Sequence, residues 1–117
     1  MKLTNAQMLE SVQLLAKAEE KGLLGFAIAQ NRRKLANEVE VYSDKYDELL
    51  QKHGTDLGEG RFNIKAENLA TFEAELRPYA EMTTDVQVVQ VEPEVFYSGN
   101  LTSSQMFSLA WMVKGVD

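Results

Sequence analysis

The sequence predicts a mainly α, α+β fold in a single domain spanning residues 1–117. Three observations carry that expectation. Apolar residues recur at helical spacing through most of the chain, the pattern of amphipathic helices facing a common core. Two capping signatures, at Leu3-Thr4 and at Leu101-Thr102, mark helix starts near both ends. One Val-rich stretch, at 85–97, breaks from the helical period and favours a β-strand. The composition agrees, with 44% hydrophobic and 26% charged residues, ordinary for a folded domain that builds one core.

The first helix is read from Thr4 as N-cap with Gln7 three positions on, and Leu3 and Met8 as the flanking hydrophobic staple. Met8, Val12, Leu15 and Ala18 form its stripe, and Lys17, Lys21 and Gly22 suit a C-terminus near residue 21. A short connection, GLLG at 22–25, leads into a second helix running to His53, about 40 Å long at roughly 1.5 Å per residue. Its apolar positions Leu35, Val39, Tyr42, Tyr46 and Leu49 step by four and three, a heptad seam, with Arg32 placed between Ile28 and Leu35. Helices one and two therefore form an antiparallel hairpin whose second arm overhangs or packs on something else.

Residues 54–61 hold three glycines and read as a mobile loop with a hairpin-like turn at 56–59, followed by a very short strand at Phe62 and Ile64. The Asp56–Glu59 acids lack the spacing and distal Glu of a calcium loop. A third helix is expected over Ala66–Tyr79, with Leu69, Phe72 and Leu76 on one face and Pro78 near its end. The strand or hairpin near 85–97 needs a mate, either at Phe62–Lys65, within 86–97, or in another chain. Pro93 argues for an edge or a break. Thr102 and Gln105 then cap a last helix whose Phe107, Ala110, Trp111 and Lys114 share one side. The string Leu-Thr-x-x-Gln-Met thus occurs twice, the same capping solution used at both ends.

Composition narrows function mostly by exclusion. The absence of cysteine rules out disulfides, thiolate metal sites and a thiol nucleophile. The single histidine, His53, has no neighbouring nucleophile and suits the carbonyl end of a helix. Glu38/Glu40 and Glu73/Glu75 are two apart, about 200° around a helix, so neither pair forms a local dyad. No phosphate loop, dinucleotide fingerprint or nucleophile elbow is present, and neither cofactor nor catalysis is expected. No apolar run spans a bilayer, and charges interrupt the first helix, so neither membrane insertion nor a secretory signal is expected.

Net charge is −6 and uneven: residues 1–37 carry six Lys/Arg against three Asp/Glu, and residues 38–117 six against fifteen. Direct nucleic-acid binding is not expected from so acidic a surface, whereas a basic protein surface would suit it. The expected partner is therefore a protein, or a second copy of this chain. Candidate interface residues are Arg32 and Arg33 in the one basic run, Tyr42 and Tyr46 one turn apart where helix two outruns helix one, and Val89, Val91 and Phe96 on the unpaired strand. Each has an alternative reading. Arg33 is solvated and Arg32 pairs an acid across the hairpin, the tyrosines are core edge with wet hydroxyls, and the strand residues pair inside the chain.

The order of features resembles a family of small tailed-bacteriophage proteins of unknown function. It runs from the opening Met1–Gln7 through Phe26-Ala27-Ile28-Ala29 and Arg33-Lys34-Leu35 to Leu49-Leu50-Gln51-Lys52-His53-Gly54. It continues with an acidic glycine loop, Glu67-Asn68, the Val-rich segment and the Leu101-Thr102 cap. Trp111 and Gly115 depart from the acidic or proline-bearing ending of that outline. The resemblance transfers no catalytic residues. It implies a phage or prophage origin, a location in the host cytoplasm or the virion, and a virion or assembly component. The acidic balance supplies an alternative expectation, an anti-CRISPR-like inhibitor that occludes a basic channel of a host or defence protein.

Overall fold

The structure is a computed structural model describing residues 1–115. It opens with strand β1 (Lys2–Thr4), followed by helix α1 (Asn5–Lys17). The expected capping box is formed: Gln7 N–H donates to the Thr4 hydroxyl at 3.0 Å, and Thr4 N–H donates to the Gln7 side chain at 2.8 Å. Helix α1 stops at Lys17, earlier than its charge pattern suggests, and helix α2 (Gly22–His53) starts sooner. Gly22, with φ of +65°, opens α2 instead of terminating α1.

Helix α2 has 32 residues, about 48 Å at 1.5 Å per residue, and sets the long 46 Å axis of the molecule. The radius of gyration is 16.0 Å, against about 13 Å for a compact chain of this length. The elongation is the geometric consequence of that helix. Its buried stripe runs Leu24, Ile28, Asn31, Leu35, Val39, Tyr42 and Leu49. Helix α1 covers the first half through Met8, Ser11 and Leu15.

The second half of α2 does not overhang. A hairpin of β2 (Gly54–Gly58) and β3 (Arg61–Ile64) follows it, and helix α3 (Ala66–Ala80) folds back along it. Phe72 of α3 meets Tyr46 edge-on, with ring centroids 5.7 Å apart. Residues 54–61, expected as a mobile loop, are largely this hairpin. The register shifts between Asp56 and Gly58, and the turn places Gly58, Glu59 and Gly60 at positive φ. Asp56 closes the turn by accepting from Gly58 N–H at 2.7 Å.

The Val-rich segment departs most from expectation. The strand there, β4 (Thr83–Asp85), lies at its upstream edge and pairs antiparallel with β1 (Leu3 opposite Thr84). Neither Phe62–Lys65 nor a second chain supplies the mate. Residues 86–90 continue without a ladder, laid along α2. Val91 makes an isolated parallel bridge to Val113, and Pro93 opens a short helix, α4 (Pro93–Tyr97). Proline at the first helical position loses no hydrogen bond and has φ preset for a helix, which is why the run ends as a helix and not a strand. Helix α5 (Ser103–Ser108) has the expected Thr102–Gln105 capping box, then gives way to a 3-10 turn at Ala110–Met112. That change of period separates Phe107, which is 86% exposed, from Trp111, which is buried. Met8, Leu15, Leu35, Phe96, Leu109 and Met112 form the most deeply buried part of the core.

Candidate protein-binding surface

The geometry around residues 82–90 starts from the alternation of an antiparallel ladder, in which every second residue turns its backbone groups away from the partner strand. Asn5 N–H donates to Met82 O and Val86 N–H to Met1 O, so residues 82, 84 and 86 face β1. Residues 83, 85, 87 and 89 therefore present their backbone groups on the opposite side, toward α2. At the downstream end α2 satisfies them. Asn31 Nδ2 donates to Val89 O at 2.9 Å, Val89 N–H donates to Asn31 Oδ1 at 2.7 Å, and Lys34 Nζ donates to Gln87 O at 3.0 Å. Asn31, fully buried, acts as the adjacent strand would. At the upstream end no such partner exists among the described residues: the N–H and C=O groups of Thr83 and Asp85 are unpaired.

Beside that open edge lies a groove of about 530 Å³, bounded by Glu38, Val41, Tyr42 and Lys45 of α2 and by Tyr79, Met82, Thr83 and Thr84. Three of its apolar side chains are solvent-exposed: Val41 by 81%, Met82 by 60% and Tyr79 by 39%. Lys45 sits 5.1 Å from the Tyr79 ring centre and pairs with Glu48 at 3.3 Å, so its charge is already engaged. Glu38, in the groove wall, is exposed. The α-ammonium of Met1, 2.8 Å away, holds the Asp85 carboxyl below its ordinary range by hydrogen bond and charge. Apolar walls, open backbone donors and acceptors, and an exposed carboxylate are the elements of a site for a polypeptide segment.

Of the residues that sequence reasoning nominated, Tyr42 alone lines this groove, and most are structural. Tyr42 is buried, and burial, then Tyr46, pushes its phenol above the ordinary 10.0. Tyr46 is half-buried against Phe72. Val91 and Phe96 belong to the core, and the backbone of Val89 is taken by Asn31. None of these five is an exposed interface anchor: Val89 and Val91 lie in an extended segment that pairs within the chain, Phe96 packs from α4, and the two tyrosines pack from α2. Arg32 and Arg33 are exposed on the outer side of α2, where with Phe26, Ala29 and Ala36 they line an open concavity of about 610 Å³. Arg32 is not in the seam, which Asn31 occupies, and it makes no ion pair among the described residues. Lys34, exposed beside Arg33, donates from Nζ to Gln87 O. Sequence reasoning missed Val41, Tyr79 and Met82. The available signal was Val41, an aliphatic residue one step off the α2 seam.

Two polar clusters lie away from the groove. His53 Nε2 lies 2.8 Å from Glu75 and Lys52 Nζ lies 3.2 Å from it, tying the end of α2 to α3. These contacts lower the Glu75 carboxyl from its ordinary 4.5, the His53 hydrogen bond first and the Lys52 bond second. Trp111 Nε1 is buried without a hydrogen-bond partner and its side chain lines a cavity of about 250 Å³ with Gln7, Glu10, Ser11 and Ser108. Among the described residues no group of three His, Asp or Glu side chains is placed to hold a metal, and no helix is long and apolar enough to cross a membrane. Comparison with protein-family models, curated proteins and solved structures returns no match.

Proposed function

We propose that this chain is a phage-encoded, non-enzymatic protein-binding module, a component of the virion or of its assembly, and that it engages its partner at the groove between α2 and β4. The observation that carries the binding reading is the exposure of Val41, Tyr79 and Met82 together in one concavity. Small domains seldom leave clustered apolar side chains in water without a use, and contiguous exposed patches mark interaction sites. The phage setting rests on the order of sequence features from Met1 to the Leu101-Thr102 cap. The location that follows is the host cytoplasm or the virion.

The test is affinity purification of the tagged chain from phage-infected cells, beside a Val41→Glu/Met82→Glu variant. Recovery of phage structural proteins by the wild type, and their loss with the variant, is the expected result. Equal recovery by both would remove the groove from the account. A second reading, an inhibitor of a host or defence protein, is favoured by the fifteen Asp/Glu among residues 38–117. It predicts recovery of a nuclease or polymerase complex whose binding weakens steeply with salt.

A further inference from the structure

We infer that the groove takes its partner as an added β-strand: an extended, basic segment of another protein that pairs with the free edge of β4. The inference rests on the protein-binding reading above and specifies what that partner presents. Its first support is the backbone. Thr83 and Asp85 direct four main-chain groups away from β1, over a span of about 10 Å at roughly 3.3 Å per residue, and no described residue pairs with them. The same edge is already completed four residues downstream of Asp85, where Asn31 supplies the donor and acceptor that a strand would supply to Val89. The fold thus closes one end of this edge with its own side chains and leaves the other end for an outside backbone.

The second support is the position of the groove. Thr83 and Thr84 form one wall, and Val41, Tyr79 and Met82 lie where alternate side chains of an added strand would fall. The third is charge. Glu38 lines the groove and makes no ion pair among the described residues, whereas Asp85 is taken by the Met1 α-ammonium. The one cation in the wall, Lys45, is taken by Glu48 and the Tyr79 ring. A segment alternating Val, Ile, Leu or Thr with Lys or Arg satisfies all three features: its backbone meets Thr83 and Asp85, its apolar side chains meet Val41 and Met82, and a cation meets Glu38.

Random linear peptides displayed on a neutral scaffold and selected against the full chain provide the probe, with enriched sequences then synthesised. The expected result is enrichment of peptides that alternate apolar and basic residues. N-methylation of their central amides is expected to weaken binding at least about tenfold, because it removes donors from the ladder. Thr83→Pro should weaken binding similarly. It deletes an outward N–H that β1 does not use, and near-UV circular dichroism reports whether the domain stays intact. N-methylation leaves the protein untouched, so the test survives a variant that fails to fold. Binding that tolerates both changes, enrichment of acidic or helically spaced peptides, or no enrichment would each overturn the strand proposal. Binding lost with Val41→Glu but indifferent to N-methylation would keep the groove as a protein-binding site and reject only the strand.

Discussion

Asn31 offers the sharpest test of how the fold is held together. It is the one polar side chain in the buried stripe of α2, and both its hydrogen bonds go to the backbone of Val89, 58 residues away. Asn31→Leu keeps the branched shape and heavy-atom count and removes both bonds, leaving the Val89 N–H and C=O facing an apolar side chain. A buried backbone group left unsatisfied costs about 1–3 kcal/mol, so two cost roughly 2–6. Val89 is only half-buried, and water reaching the site pulls the expected value down to about 2–4 kcal/mol. Urea unfolding followed by far-UV circular dichroism measures it. With a slope of about 1–1.5 kcal/mol/M, the midpoint should fall by roughly 1.3–4 M at unchanged slope. Asn31→Asp sharpens the argument. The new carboxylate still accepts from Val89 N–H but opposes Val89 O, so burial and the carbonyl raise its folded-state pKa above the unfolded value. A group with a raised folded pKa stabilises below its unfolded pKa, and that stability is lost as pH rises through the folded pKa. The Asn31→Asp protein should therefore recover stability relative to wild type on acidification. Asn31→Leu within about 0.5 kcal/mol of wild type, the range of a neutral surface change, would refute the claim that Asn31 clamps the 86–90 segment.

Further expectations are local. Glu75 has its pKa lowered by His53 and Lys52, so its contribution is present above the ordinary 4.5 and is lost as pH falls through the depressed value. Glu75→Gln should accordingly flatten the acid limb of the stability–pH curve below that point, and a limb identical to wild type would contradict the assignment. Thr102→Ala removes the cap of α5 and should cost about 1 kcal/mol, or roughly 4 °C in melting temperature by calorimetry. Phe107→Ser should leave the melting temperature unchanged within about 2 °C, because the ring is exposed; a loss of several degrees would mean that it packs.

What was legible in the sequence is what local chemistry decides. Thr4 and Thr102 were readable as caps because the partners Gln7 and Gln105 lie three residues away. Leu35, Val39, Tyr42 and Leu49 were readable as core because their spacing is helical and their side chains apolar. Asn31 was not, since periodicity selects apolar positions and a buried amide is explained only by the distant backbone it binds. Arg32 was placed in the seam for the same reason: a strict heptad counts four from Ile28, whereas the helix steps three to Asn31 and then four to Leu35. The pairing of Leu3 with Thr84 joins residues from opposite ends of the chain, and the same Leu3 also reads as a capping staple, which hid the strand. Val88, Val89 and Val91 have strong β-propensity, yet that propensity reports fit to a half-buried extended surface, here supplied mainly by α2 and the C-terminal turn. Helical spacing sets Val41 off the seam, but nothing in a single sequence brings Tyr79, Met82 and Thr83 beside it; only the course of α3 and β4 past α2 does so.

The most direct measurement of the central claim is site-specific photocrosslinking in phage-infected cells, with a benzophenone side chain placed at Val41, Met82, Leu57 or Phe107 in turn. All four positions are exposed and apolar, so they react alike with bystanders. If α2 and β4 form the binding groove, Val41 and Met82 will yield one common crosslinked partner that Leu57 and Phe107 do not. Equal crosslinking at all four positions, or a partner captured only at Leu57 or Phe107, would contradict it.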